Sequence, residues 1–459
     1  MQNTISPAEL ELLLDSHDDK GLASLCGAEH PAAAAQTISE LDDNYSAAVF
    51  ERLPAQLSAD IFSLLQTSQQ VRTLQGLTRR RLTALVTAMP PDDRAVLLRS
   101  VPDQCREAIL PGLAQAERDD IMSLMAYPPE SAGAVMTSEY VSLSPNMDAR
   151  QAIDTIRIMA PDRETIYYTY VLDNERKLVG VASLRELILA RADSAVHDIM
   201  KTGVLSVRAD QDREEAVEII ARYNLLALPV VDDQNRLVGI ITHDDALDVL
   251  QNEHTEDMEK IMAIGGRHDS GTYVSTPSWR HFMNRAPWVM GLAVLGLVSG
   301  GIIHSFEDSL MHLVILALYM PMLADTGGNT GSQSATVVIR ALALGEVSRG
   351  DAIRILFKEL KISLLLAAVL AVMAFGKVLL LSHGVSLPAG ISLYSVGTAV
   401  ALALGVQVVT STLVGAMLPM AAARFNMDPA VVASPALTTV VDITGLLIYF
   451  TTAQLILGV

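Results

Sequence analysis

Asp442 stands in the middle of the last apolar stretch of the chain, Val431 to Val459, within Thr438-Thr439-Val440-Val441-Asp442-Ile443-Thr444-Gly445. A charge in a lipid-embedded helix costs roughly 3 kcal/mol on insertion scales, so such a residue faces a bundle interior or a water-filled path. There it meets an ion, a proton or a partner side chain. No Lys or Arg lies near Asp442 in this stretch, and the chemistry it points to is passage of a cation. A second group of acids lies far from it in the chain. The first 275 residues hold 44 acidic and 24 basic residues, net −20, whereas the remainder is net +1. Nucleic acid is excluded as a partner, because phosphate binding needs positive charge. An acidic surface of this kind either collects cations or keeps a domain soluble.

Five apolar stretches are candidates to cross a bilayer, which takes about 20 residues each. They are Ala286–Phe306, Met311–Leu323 running into a Gly-rich segment, Leu360–Leu381, Ser392–Ala423 and Ser434–Leu457. The second is short and is expected to break at Thr326-Gly327-Gly328-Asn329. Irregular backbone at membrane depth is tolerated only where it lines a cavity or is buried in protein, so this break is a second pointer to a pathway. Arg280 and Arg285 precede the first stretch, Arg340, Arg349, Arg354, Lys358 and Lys361 lie between the second and third, and Arg424 lies between the fourth and fifth. The positive-inside rule then puts the N-terminus in the cytoplasm and the C-terminus outside. Met1 to Ser16 lacks a signal-peptide pattern. Cys26 and Cys105 show no metal-ligand spacing and suit a reducing compartment.

Two segments of the acidic part repeat. Tyr170-Val171-Leu172-Asp173 leads through a turn to Gly180, Ser183 and Glu186, and Leu228-Pro229-Val230-Val231-Asp232 leads likewise to Gly239, Thr242 and Asp245. Each copy reads as a helix, a strand, a turn, a second strand and a helix, which marks a duplicated α/β module. The pair resembles a CBS-domain tandem. Ahead of it, Ser6 to Tyr127 is Leu- and Ala-rich with helical period, and Pro-led helix starts recur at Pro54, Pro90-Pro91 and Pro102. After it, His254–Ile264 reads as a charged helix, broken at Gly265-Gly266. A short amphipathic helix starting at Ser275-Thr276-Pro277 then enters the membrane at Arg285.

This order of parts resembles the MgtE magnesium channels over nearly the whole chain. The most specific segments are Pro321-Met322-Leu323-Ala324-Asp325-Thr326-Gly327-Gly328-Asn329-Thr330-Gly331-Ser332-Gln333 and Asp442-Ile443-Thr444-Gly445-Leu446-Leu447-Ile448-Tyr449. The fold class implied is multidomain: an all-α N-terminal superhelix over residues 1–132, an α/β CBS pair over 133–255, a connecting (plug) helix over 256–285 and an all-α five-helix transmembrane domain over 286–459. The resemblance implies a homodimer in the bacterial inner membrane with one pore on its two-fold axis, lined by the second and fifth spans. Asp442 from each subunit would hold a hydrated Mg²⁺ through water, since Mg²⁺ dehydrates reluctantly. Asn329 and the carbonyls of Gly327 and Gly328 would add polar lining. Asp325 departs from the family pattern and stands either on the pore face or at its cytoplasmic mouth.

The resemblance also implies closure of the pore by Mg²⁺ on the acidic domains. The matching positions are Asp212, Glu214, Asp245, Asp248, Glu253, Glu256 and Asp257, with Asp92 and Asp93 as partners from the N-terminal domain. Asn224 stands where an acid is expected, which weakens one site. ATP is a further implied ligand of the CBS pair, through Tyr168, Arg185 and Glu186. A rival reading is a divalent-cation transporter coupled to H⁺ or Na⁺, with Asp442 as a relay. Against it, the spans offer no second acid apart from Asp325 and show no inverted repeat. Softer metals such as Co²⁺ or Ni²⁺ lack a His or Cys cluster in the second and fifth spans. An enzyme is disfavoured, because the chain shows no nucleophile–base pair, P-loop or HExxH motif.

Overall fold

Short helices fill the first 125 residues because the sequence repeatedly stops and restarts them. Ser6, Asp18 and Thr78 cap helix starts with side-chain oxygens, and Pro31 and Pro91 occupy first turns, where a missing N–H is not needed. Helices of 7 to 11 residues result, from Pro7–Asp15 to Gln115–Met125. From the third helix on, each packs on the next but one, as Pro31–Ser39 does on Ala55–Ser63 and Ala55–Ser63 on Arg79–Ala88, which winds the run into a superhelix. Its core is continuous and includes Leu10, Ile38, Leu85 and Leu97, with Phe50 and Phe62 edge to face at 5.2 Å. The computed structural model describes residues 5–266, 273, 276–385, 387–425, 427–429 and 434–458. The chain divides into two units, one holding the superhelix and the repeats up to His254, the other starting at Thr255 and holding the apolar helices.

The repeats form two three-stranded sheets of the same topology. In the first, β1 (Ser142–Leu143) runs parallel to β2 (Tyr168–Leu172), which pairs antiparallel with β3 (Leu178–Ser183); in the second, β4 (Val207–Arg208), β5 (Ala227–Val231) and β6 (Leu237–Thr242) do the same. Val171 sits opposite Gly180 and Val230 opposite Gly239. The two copies interlock through those glycines. A Cβ on Gly180 would lie 2.5 Å from Met200 Sδ, and one on Gly239 would lie 2.7 Å from Met136 Sδ. Thr137 and Ile240 exchange backbone hydrogen bonds, as do Val181 and Lys201. The charged segment after the second copy does not begin a new helix near His254. It continues a single helix, His243–Ile261, that starts at the end of β6, because no breaker falls between Asp244 and Glu259. Ser275 lies outside the described residues.

Among the described residues four helices are long and apolar enough to cross a membrane: Ser278–Ser305, Ala352–Leu381, Leu393–Arg424 and Pro435–Leu457. The second expected span is built differently from expectation. A short helix Glu307–His312 and a 3₁₀ turn Val314–Leu318 precede one unbroken helix, Met320–Ala343. The expected break at 326–329 is absent. In an apolar surrounding a chain satisfies its backbone internally, and packing on the neighbouring helices 393–424 and 434–457 outweighs the weak helix propensity of Thr, Gly and Asn. The polar side chains of Met320–Ala343 keep it below the apolar standard its neighbours meet. The third helix starts at Ala352, eight residues before its apolar run, which brings Glu359 into the bundle.

Candidate ion path and acidic cluster

Pro91 starts the helix Pro91–Ser100 and places Asp92 and Asp93 in its first turn, where the positive end of the helix favours acids. Ala95 on the same helix is buried in the core of the second repeat, with Val230, Ile241 and Val249. That packing turns the two aspartates toward the start of His243–Ile261. Asp92 is held well above the ordinary carboxylate range by burial and by Asp245, Asp93 and Glu164. Burial raises Asp93, and Asp248 and Asp244 raise it further. Asp245 is pushed up to about 7 by burial, with Asp244, Asp93 and Glu164 adding, although Thr242 donates a hydrogen bond to it. Glu164 is likewise pushed up to about 7 by burial, Asp244, Glu139 and Asp93. The structure therefore brings Asp92, Asp93, Asp245 and Asp248 into one field of like charge. Sequence reasoning missed its other members, Glu164 and Asp244. Among the described residues, no three acids, histidines or cysteines converge as a ready ligand set.

Three of the remaining acids expected to act with this group have other duties. Asp212 caps the helix Arg213–Tyr223 by accepting from Glu214 N at 2.9 Å. Glu253 is paired at 2.7 Å with Arg213, which also holds Glu130 at 2.6 Å. Glu256 pairs with Lys260 at 2.7 Å, and Lys260 reaches Asp428 at 3.0 Å; Asp257 is the next residue on that helix. Asn224 has a backbone reason for not being an acid. It ends its helix at φ 50°, in the left-handed region that Asn tolerates well.

In the first repeat, Ser183 and Glu186 close a capping box at the start of the helix Leu184–Leu189, which also carries Arg185. Against burial, Lys201 at 2.7 Å and two bonds from Ser183 draw Glu186 down to about 2. Thr242 and Asp245 pair in the same way in the second repeat. Tyr168 opens β2, and a T-shaped pair of Tyr140 and Tyr170 lies in the same sheet region.

Asp442 is half-buried on Ser434–Leu457, and its Oδ1 is shut away from solvent with no hydrogen-bond partner. On Met320–Ala343, Asp325 and Asn329 are exposed and one helical turn apart, and Gln333 continues the stripe. Gly327 and Gly328 point the other way. A Cβ on Gly327 would lie 2.4 Å from Gln407 Nε2, and one on Gly328 would lie 3.0 Å from Thr438 Cγ2. These glycines permit close helix contact, and the Gly327 carbonyl lies 3.1 Å from Thr330 Oγ1. The expectation that their carbonyls form irregular polar lining is corrected by the helix through them. Two further polar residues in the bundle escaped sequence reasoning. Glu359 is buried against Ser334 Oγ at 2.9 Å, and Gln407 is fully buried. Glu359 overturns the reading that the spans hold no second acid besides Asp325.

Comparison with known proteins places these parts. The family described as "Divalent cation transporter" matches residues 320–452, "MgtE intracellular N domain" matches 29–130, and "CBS domain" matches 132–193 and 196–252. The chain is 36% identical over 452 residues to "Magnesium transporter MgtE" of Thermus thermophilus, covering 98% of each. It is 34% identical over 420 residues to the protein of that name from Bacillus subtilis, covering 92% of this chain and 90% of the other. A solved "cytosolic domain of the Mg2+ channel MgtE in complex with ATP" covers 53% of this chain and 99% of its own length, at TM-score 0.51 and 34% identity. The chain belongs to the MgtE family of divalent cation transporters.

Proposed function

We propose that the protein is a Mg²⁺-selective channel of the bacterial inner membrane, a homodimer that conducts passively and closes when Mg²⁺ occupies its acidic cytoplasmic part. Asp442 carries this reading: a carboxylate oxygen without a donor inside an apolar helix calls for something that passes through. The Asp325–Asn329–Gln333 stripe supports it. Polar side chains exposed on a membrane helix are costly against lipid, so a second copy or a water-filled path covers them. Two Asp442 carboxylates across a two-fold axis hold a hydrated Mg²⁺ through its water shell. The basic segments between the apolar helices put the N-terminus inside and the C-terminus outside.

Closure follows from the charge of Asp92, Asp93, Asp245 and Asp248, with Asp244 and Glu164. Their mutual repulsion opposes the contact of superhelix and second repeat, and a divalent cation removes it. Asp212, Glu214, Glu253, Glu256 and Asp257 contribute charge nearby in sequence, but Asp212 and Glu253 exchange a cap and an arginine for any ligand role. ATP on the first repeat, through Tyr168, Arg185 and Glu186, is supported by the ATP complex of the 34%-identical relative. Glu186 meets it already tied to Lys201.

A coupled H⁺ or Na⁺ transporter is the second reading, and buried Glu359 favours it by supplying another acid in the bundle. Mg²⁺ entry into dye-loaded proteoliposomes without any pH or Na⁺ gradient separates the two. Passive flux that stops at high Mg²⁺ on the soluble-domain side supports the channel. Flux that requires an imposed gradient overturns it.

A further inference from the structure

Gln407 lies in the middle of Leu393–Arg424, flanked by Val406 and Val408, and its side chain is fully buried. It meets two glycines on two other helices. A Cβ on Gly327 would fall 2.4 Å from Nε2 and a Cβ on Gly445 would fall 2.5 Å from the same atom, so neither position accepts a side chain while Gln407 is in place. The amide thus occupies a slot that the helices 320–343 and 434–457 leave open together. From that slot Nε2 donates to the Val441 carbonyl at 2.9 Å. This fixes which end of the amide is nitrogen, because a carbonyl only accepts. Thr444 Oγ1 donates to the same carbonyl at 3.0 Å. The Val441 carbonyl belongs to the peptide that carries the Asp442 N–H, so both bonds act on the backbone from which Asp442 projects.

Packing alone does not account for an amide here. Its other end, Oε1, is buried with no donor, a penalty that a methionine of similar length would avoid. The Oδ1 of Asp442 is in the same condition; Asp442 adjoins Val441 on the helix 434–457, and Gln407 reaches that helix from 393–424 at Val441 itself. Three helices are therefore tied at the level of the intramembrane acid by one polar side chain.

We propose that Gln407 is a positioning residue for Asp442, fixing the carboxylate's place in the ion path and through it the selectivity for a doubly charged hydrated cation. The inference rests on the reading of Asp442 as the ion-path acid. Its test uses the full-length protein in proteoliposomes, with Mg²⁺ and Na⁺ permeation measured side by side for the wild type, Gln407→Met, Thr444→Val and Asp442→Ala. Thermal stability in detergent is followed for each. Gln407→Met keeps the volume and removes the donor, so the Mg²⁺-to-Na⁺ permeation ratio is expected to fall about tenfold, as for loss of one hydrogen bond, at unchanged thermal stability. Thr444→Val is expected to shift the ratio the same way by a smaller factor. A ratio equal to the wild type in a folded Gln407→Met protein, with the ratio lost in Asp442→Ala, overturns the inference. Should Gln407→Met fail to fold, an unshifted ratio in Thr444→Val overturns it instead. An Asp442→Ala protein with wild-type permeation and ratio removes the underlying reading of Asp442, and the inference with it.

Discussion

Asp245 faces Asp92 at a largely buried contact between the N-terminal superhelix and the second repeat: burial and then the Asp245 charge raise Asp92, while burial, with Asp244, Asp93 and Glu164, raises Asp245. A carboxyl held above its unfolded value stabilises the contact while protonated. That contribution is complete below the unfolded value and is lost as pH rises through the folded one. For Asp245 and Glu164 the window runs from their ordinary values of 3.8 and 4.5 to about 7. The soluble segment in EDTA should therefore lose thermal stability between pH 4.5 and 7, and millimolar Mg²⁺ should flatten the decline. Glu186 works in the opposite sense, since its value is drawn down to about 2 and its contribution is lost only as pH falls below its ordinary 4.5. Differential scanning fluorimetry across pH 4.5–7 with and without Mg²⁺ checks this, and a flat EDTA profile would count against the cluster.

Neutralising one member should imitate the cation. Asp92→Asn removes a buried like charge from Asp245, Asp93 and Glu164. The gain in the absence of Mg²⁺ should be about 1 kcal/mol, the scale of a one-unit pKa shift. That corresponds to about 2–4 °C for a domain of this size. The same variant should gain less from Mg²⁺ than the wild type does. In the full protein it should shift closure to lower Mg²⁺, read as inhibition of flux. A variant less stable than the wild type without Mg²⁺ would show that Asp92 is held for a hydrogen bond and not opposed by charge.

Asp442→Ala should cut Mg²⁺ permeation by one to two orders of magnitude, the loss expected for a charge-assisted contact of about 1.5–3 kcal/mol. The variant should remain folded, because Asp442 Oδ1 makes no hydrogen bond that the fold depends on. Size exclusion and flux measured on one preparation decide the point.

Much of this architecture could be read from residues alone, because the signals are local. Gly180 and Gly239, the paired Asp-Asn turns and the Pro-led helix starts all act within a few residues of themselves. The acidic field was legible only in part. Asp92 and Asp245 are separated by 153 positions (92 and 245 in sequence), and what joins them is Ala95 packing into the second repeat. Glu164 carries no motif that would mark it. The membrane helix 320–343 was misread for a physical reason: Thr, Gly and Asn are weak helix formers in water, but in a bundle the backbone has no other hydrogen-bond partner. Glu359 was missed because the apolar run starts one residue after it, while the helix starts seven residues before it.

Gly415 and Gly331 set how closely two membrane helices approach. A Cβ on Gly415 would fall 2.2 Å from the Gly331 carbonyl oxygen, a backbone atom that cannot turn aside. Gly415→Ala should therefore push Leu393–Arg424 away from Met320–Ala343, at a cost of about 1–3 kcal/mol for overpacking. Gly405→Ala is the matched control, since its Cβ would meet Ala367 Cβ at an ordinary 3.9 Å. Thermal stability in detergent should fall for the first and stay level for the second. Equal behaviour of the two would show that the bundle relaxes around the new methyl.

Glu359 separates the two transport readings. The residue is 7% exposed, and its carboxyl accepts from Ser334 Oγ at 2.9 Å. Gln at this position retains an acceptor for Ser334 and cannot ionise. If the protein conducts passively, Glu359→Gln should leave Mg²⁺ flux within about twofold of the wild type, a change under 0.5 kcal/mol. An imposed pH gradient should then alter neither protein. If a proton moves with the metal, the wild type should respond to the gradient and Glu359→Gln should not, because the buried acid able to load and release that proton is gone. Flux at two imposed gradients, measured on both proteins, reads the difference directly. A response in the wild type that survives in Glu359→Gln would assign coupling to Asp442 or Asp325 and leave Glu359 as a packing partner of Ser334.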